Sequence, residues 1–236
     1  MEIIFPSNIK CIACRAPIPK TNTYSLCKKC FHSIDFINDD GSWRRTKDGE
    51  HIYTDEPVLK NAGGLSSIAL NSIYSCLKYE DTVKKLIYSF KYSNKTYLSK
   101  IFALMISDRL EMLNLKTDYI ICVPSSKKRL RERGYDQAEL IGRYLSKKMQ
   151  IPLIHPVIRK KHTKALYGLN PIERELELRD AFIINDRNID LNYKNLVIID
   201  DILTTGATLE KLAALIKDEY PFANIDAIVL ADGKKT

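Results

Sequence analysis

No apolar run in this 236-residue chain approaches the ~20 residues that a membrane span needs. The start, Met1-Glu2-Ile3-Ile4-Phe5-Pro6, lacks the basic opening and long apolar core of a secretory signal, so a cytoplasmic location is expected. No internal repeat is apparent, which leaves a folded domain rather than an array. Histidine is scarce, with four in the chain, and none is placed to act as a catalytic base. The G-x-x-x-x-G-K-[ST] phosphate loop is absent, which excludes a P-loop ATPase. An N-terminal catalytic cysteine is absent as well, so ammonia generation from glutamine is not expected.

The length accommodates one full α/β domain and a small appendage. A formal net charge of +8 leans toward anionic partners without choosing between nucleic acid, a phosphorylated metabolite and plain solubility. The charge is concentrated in Lys127-Lys128-Arg129-Leu130-Arg131-Glu132-Arg133 and again in Arg159-Lys160-Lys161-His162-Thr163-Lys164. Basic runs are most often solvated faces. Their position after expected strands gives these two more weight.

Four of the six cysteines form Cys11-x2-Cys14 and Cys27-x2-Cys30, with twelve residues between the pairs. Two such knuckles bring four thiolates to one tetrahedral ion, and a closed four-thiolate shell holds a fold without doing chemistry. Structural Zn2+ is therefore expected at Cys11, Cys14, Cys27 and Cys30. Disulfides suit a cytosolic chain poorly, and neither pair sits in the βαβ context of a redox motif. Cys76 and Cys122 lie in apolar contexts and read as buried bystanders.

Residues 1–34 are thus a zinc-finger module. Residues 35–66 are polar and mixed, with Asp39-Asp40-Gly41-Ser42, Arg44-Arg45 and Gly63-Gly64, and read as a linker or irregular insertion. The main domain spans 67–236. In it, strands are expected at 73–79, 119–123, 151–158, 181–184, 196–200 and 227–230. Helical spacing marks 82–90, 98–113 and 135–149, and a further helix follows Thr208. Strands alternating with helices predict an α/β fold, a mainly parallel sheet with helices on both faces.

The richest segment is Val197-Ile198-Ile199-Asp200-Asp201-Ile202-Leu203-Thr204-Thr205-Gly206-Ala207-Thr208-Leu209. A buried strand ends in two carboxylates, and a Thr/Gly turn then opens a helix whose N-terminal N–H groups favour a phosphate. Ligands bind at the carboxyl ends of strands in open α/β sheets. Two acids beside a phosphate cradle suggest a ligand carrying hydroxyls and phosphate, together with a divalent cation. Val123-Pro124-Ser125-Ser126-Lys127-Lys128-Arg129 follows another strand and emerges at the same edge. Lys127 and Arg129 there are expected to face a second phosphate or a nucleic-acid backbone, the alternative being a basic turn with flexible side chains. Gly134 marks a turn, and Asp136 either caps the next helix or contacts the ligand.

The block Asp200-Asp201-x-x-Thr204-Thr205-Gly206-x-Thr208 resembles the loop of type I phosphoribosyltransferases that binds 5-phosphoribosyl 1-pyrophosphate (PRPP). The resemblance implies a type I phosphoribosyltransferase-like domain. In it, Asp200 and Asp201 hold the ribose hydroxyls, Thr204, Thr205, Gly206, Ala207 and Thr208 cradle the 5′-phosphate, and Mg2+ accompanies PRPP. Across the chain, the two C-x2-C knuckles are followed by Phe90-Lys91-Tyr92, by Lys128-Arg129-Leu130-Arg131-Glu132-Arg133-Gly134-Tyr135-Asp136-Gln137, by Arg159 and Thr163, by Glu173-Arg174 and by the acidic loop. This order is similar to the ComF family of competence-associated proteins. Tyr135 and Asp136 stand where that family usually has Phe-Asn. Leu166 replaces a usual Gln, and Glu177 a usual Asn.

The family resemblance implies a role in uptake of transforming DNA, with a competence helicase and other DNA-processing proteins as partners. On the binding reading, Lys127, Lys128, Arg129, Arg131, Arg133, Lys160 and Lys161 track single-stranded DNA. On the alternative, a phosphoribosyltransferase displaces pyrophosphate from C1 of PRPP, with Asp200 and Asp201 orienting the ribose and Lys127 or Arg129 stabilising the leaving group. No base for an acceptor is identifiable, so the acceptor and turnover itself stay open.

Overall fold

The structure is a computed structural model that describes residues 8–37, 42–45, 51–54, 69–160 and 181–233. The chain begins with a two-stranded antiparallel ladder, β1 (Asn8–Lys10) and β2 (Pro17–Pro19), then a 3-10 turn at Thr23–Ser25 and a short helix α1 (Lys28–His32). The hairpin β3 (Ser42–Arg45) and β4 (His51–Thr54) follows. The 35–66 segment, expected to be a linker or irregular insertion, contains this β-hairpin, and Trp43 pairs with Ile73 to add it antiparallel to the main sheet.

The main domain alternates strands and helices: β5 (Ile73–Lys78), α2 (Asp81–Tyr92), α3 (Leu98–Met112), β6 (Tyr119–Cys122), α4 (Lys127–Arg133), α5 (Gln137–Met149), β7 (Leu153–Ile154), β8 (Val157–Arg159), β9 (Phe182–Ile184), β10 (Asn195–Leu203), α6 (Ala207–Glu219) and β11 (Asn224–Asp232). The sheet order is β4-β3-β5-β11-β10-β6-β7. The strands from β5 to β7 are all parallel. This is the type I phosphoribosyltransferase architecture expected from the resemblance.

Period-two alternation sorts the central strand between two cores. Val197 and Ile199 of β10 face a layer with Leu86 and Phe90 of α2, Phe102 of α3 and Ile141 of α5. Leu196 and Ile198 face the other layer, with Leu209, Leu212 and Ile216 of α6. Both faces are covered, which is why these strands read as continuous apolar runs. Helix α5 lies so close to β6 that a Cβ at Gly142 would stand 2.3 Å from Cys122 Sγ.

Three elements depart from their sequence-based expectation. The 151–158 strand is broken at His155-Pro156: β7 joins the main sheet, while β8 turns away to pair antiparallel with β9. Proline removes the ladder N–H that a continuous strand would need. The basic run 127–133 is a helix rather than a turn, because Ser126 caps it through Arg129 N–H at 3.3 Å and Gly134, at φ 78°, ends it with a bond to Leu130 C=O at 2.8 Å. Strand β10 continues past the two aspartates to Leu203, paired with β11 up to Asp232.

The N-terminal module is docked on the first core layer. Ile12, Ile18, Leu26 and Ile34 are buried there. Phe36 bridges to Leu77, Ile37 N–H donates to Cys76 C=O at 2.9 Å, and Lys78 N–H donates to Asp35 C=O at 2.9 Å. The Tyr24 hydroxyl donates to Asp108 on α3. Among the described residues no helix is long and apolar enough to cross a membrane.

Candidate functional site

The C-terminal edge of the parallel sheet opens into a cavity of about 290 Å3. Its floor is the end of β10. Asp200 and Asp201 both line it, and the Asp201 N–H donates to Asp200 Oδ1 at 2.8 Å. Lys91, from the last turn of α2, forms an ion pair with Asp201, Nζ to Oδ2 at 2.6 Å, with both side chains largely buried. Burial and, next, the charge of Asp201 push the Asp200 carboxyl up to about 7. The Asp201 N–H and Lys91 pull the other way.

Past the aspartates, Thr204 and Thr208 line the cavity while Thr205, Gly206 and Ala207 make the turn into α6. Gly206 adopts φ 75°, in the left-handed region that favours glycine. It also brings no side chain to cap the thirteen-residue helix, and Ala207 N–H meets Thr205 Oγ1 at 3.5 Å, so the positive end of the dipole lies beside the cavity-lining Thr204 and Thr208.

The opposite wall is cationic. Arg129 and Arg133, four apart on α4 and hence on one side of it, line the cavity together with Arg159 of β8. Burial, with help from neighbouring Arg129 and against the pull of Asp200, lowers the Arg159 guanidinium to about 10. Arg159 stacks over the Phe182 ring at 5.1 Å, and Arg133 over the Tyr92 ring at 5.4 Å. Asp136 caps α5 through Glu139 N–H at 3.2 Å and accepts from Ser125 N–H at 2.9 Å, so it holds the loop after β6 against the helix. Of its two readings, the capping one is seen here.

The cavity therefore gathers Asp200, Asp201, Thr204, Thr208, Arg129 and Arg133 from the expected residues, but not Lys127. Lys127, Lys128 and Arg131 sit on the exposed side of α4, where Lys128 meets Glu132 at 3.9 Å. Formation of the helix is the reason: it turns Lys127 away from the side that carries Arg129. Lys160 is exposed, and Lys161 lies outside the described residues, as do Thr163, Leu166, Glu173, Arg174 and Glu177. Lys91 and Gln137 were not among the candidate site residues. Their signal lay in Phe90-Lys91-Tyr92 and in the Gln that ends the Arg-Gly-Tyr-Asp-Gln block.

At the other end of the chain, the Sγ atoms of Cys11, Cys14, Cys27 and Cys30 all lie within 4.8 Å of one another, with Cys14 and Cys27 at 3.6 Å. Metal–sulfur bonds of ~2.3 Å around a tetrahedral ion put sulfurs about 3.8 Å apart. Burial opposes ionisation of Cys11, yet N–H groups of Cys14, Cys27 and Ala13 draw its thiol downward. Burial and the sulfurs around it raise Cys30. Four such thiolates crowd together only around a cation, so the donor set fits a metal ion.

Residues 144–236 match the family model described as a phosphoribosyl transferase domain. Competence protein F of Haemophilus influenzae is 28% identical over 218 residues, covering 89% of this chain and 91% of that protein. Competence protein ComFC of Bacillus subtilis is 24% identical over 235 residues, covering 97% and 86%. The adenine phosphoribosyltransferase of Borrelia garinii is 33% identical over 142 residues, covering 59% of this chain and 72% of that one.

The raised Asp200 carboxyl carries a pH signature. A carboxyl free at about 3.9 when unfolded and held near 7 when folded costs nothing at low pH, and its cost grows as pH rises between those values. Asp200→Asn is expected to be more stable than the natural chain at pH 8, by on the order of 1–4 kcal/mol, with the gap closing toward pH 4. Urea unfolding at a series of pH values checks this, and a gap that widens on acidification would contradict the burial of Asp200.

Proposed function

The chain belongs to the ComF family, whose fold is that of the type I phosphoribosyltransferases, and from that premise we propose that its cavity binds PRPP or a related phosphoribosyl ligand with Mg2+, in the service of DNA uptake. One observation carries the reading: two adjacent carboxylates, a helix entered through an uncapped glycine turn, and three guanidiniums share one cavity. The carboxylates suit ribose hydroxyls, and the 204–208 turn suits the 5′-phosphate. Arg129, Arg133 and Arg159 suit the pyrophosphoryl end. Mg2+, held beside Asp200 and Asp201, would supply positive charge between the ribose oxygens and the pyrophosphate. Lys91 meanwhile neutralises Asp201, so that the floor does not repel an anionic ligand.

Titration calorimetry tests this with PRPP and Mg2+. Heat is expected for the natural chain and is expected to vanish for Asp200→Ala combined with Asp201→Ala. An unchanged signal in the double variant would remove the assignment. Phosphoribosyl transfer is the second reading, favoured by an Asp200 carboxyl brought into the range useful for proton transfer. Pyrophosphate released from PRPP on adding an acceptor separates transfer from binding.

Single-stranded DNA belongs on the other side of α4. Lys127, Lys128 and Arg131 face solvent outside the cavity of about 290 Å3, with Lys160 also exposed. Removing all three α4 charges is expected to weaken binding and flatten the log–log salt dependence by about 2, at roughly 0.7 per phosphate contact on single strands. Affinity that ignores both salt and these charges would sink the idea.

The four-cysteine cluster is read as a Zn2+ site, which requires the reducing conditions of a cytoplasm. Elemental analysis should find one zinc per chain. Chelation should make Cys14 reactive to thiol reagents and lower the unfolding temperature, because the module has little core of its own. A metal-free chain of undiminished stability would refute it.

A further inference from the structure

Tyr88 and Tyr92 stand four apart on α2, 63% and 62% exposed, which leaves two large apolar rings in water. Their centroids are 4.9 Å apart and their planes 46° from parallel, so neither ring lies flat on the other. The Arg133 guanidinium sits 5.4 Å over the Tyr92 ring and donates to its hydroxyl at 3.5 Å. This contact joins the end of α4 to the end of α2, at the wall of the cavity that Arg133 lines. From Lys84 to Lys100 the chain carries five lysines and three tyrosines but no carboxylate, so the surroundings of the rings have one sign of charge. Lys84 and Lys85 are exposed on α2, as are Lys127, Lys128 and Arg131 on α4. Six helical steps, ~9 Å, separate Lys127 from Arg133, so the α4 charges begin one short helix away from Tyr92.

A purely local role explains these rings poorly. Aromatic pairs at this spacing steady a helix slightly, but α2 is already anchored by buried Val83, Leu86, Ile87 and Phe90. An apolar face of a protein partner would leave the lysines around the rings unanswered. An anion that also carries flat apolar faces answers both, and a nucleic-acid strand is such an anion. In a duplex the faces of the bases are stacked on each other, whereas a single strand offers them to a ring. We infer that Tyr88 and Tyr92 form a base-stacking platform for single-stranded DNA, beside the α4 charges that hold its phosphates. The inference rests on the single-strand reading above and adds the element that engages bases. Every base has a flat face, so the platform favours single strands over duplex without selecting a sequence.

Fluorescence anisotropy with three probes of one length tests it: oligothymidine, an abasic strand with the same phosphates, and a duplex. The natural chain should bind oligothymidine about fivefold or more tighter than the abasic strand. Tyr88→Ala combined with Tyr92→Ala is expected to erase that preference while shifting abasic and duplex binding less than about twofold. The log–log salt slope should not change, because stacking releases no counterions, whereas removal of the α4 charges flattens it. Tyr88→Phe with Tyr92→Phe keeps both rings and should keep the natural affinity. If the Phe variant loses as much as the Ala variant, or the abasic strand weakens as much as oligothymidine, the tyrosines act through Arg133 and the inference falls. Salt-dependent oligothymidine binding that ignores the Ala substitutions overturns the platform and leaves the single-strand reading standing. No oligothymidine binding at low salt refutes both.

Discussion

Two carboxylates on consecutive residues at the end of a buried strand repel each other and are stripped of water, and the rest of the site is arranged around that constraint. Lys91 answers Asp201 directly at 2.6 Å. Asp200 is answered only in part, by a backbone N–H and the more distant Lys91 charge, so its carboxyl is held near neutral pH. Lys91 reaches the floor because the helix before it buries Val83, Leu86, Ile87 and Phe90 in the first core layer. Packing energy on one side of α2 thus places a charge at its end.

The cationic wall depends on a second local device. Ser126 and Gly134 cut a single short helix out of a basic run. That helix separates its charges into two sets, with Arg129 and Arg133 turned to the cavity and Lys127, Lys128 and Arg131 turned to water. Asp136 then ties the loop before the helix to the start of α5. One seven-residue element consequently carries a cavity-lining pair of guanidiniums on one side and a solvent-facing basic patch on the other.

The cysteine module is attached to the opposite end of this logic. Its apolar residues join the same core layer as α2 and α3, and its backbone extends the edge of β5 through Phe36 and Ile37. Metal loss would therefore disturb more than thirty residues of appendage, because Ile12, Leu26 and Ile34 cover apolar surface that belongs to the main domain.

Much of this was legible from the order of residues. The four cysteines, the apolar strand ending Asp200-Asp201 and the Thr-Gly-x-Thr turn are local patterns, in which chemistry and geometry follow from spacing along the chain. The α/β class followed from periodicity, because strands buried on both faces and helices buried on one leave different signatures. Three things were decided only by tertiary structure. The 151–158 segment split at Pro156 because its second half had a different partner strand. Lys127 left the site because helix formation at 127–133 set which side chains share a face. Lys91 and Gln137 entered it from elements far away in sequence, and no local pattern reports which helix ends converge on one sheet edge. Spacing along the chain determined what kinds of groups this protein carries. Packing of α2, α4 and α5 against one parallel sheet decided which of them meet.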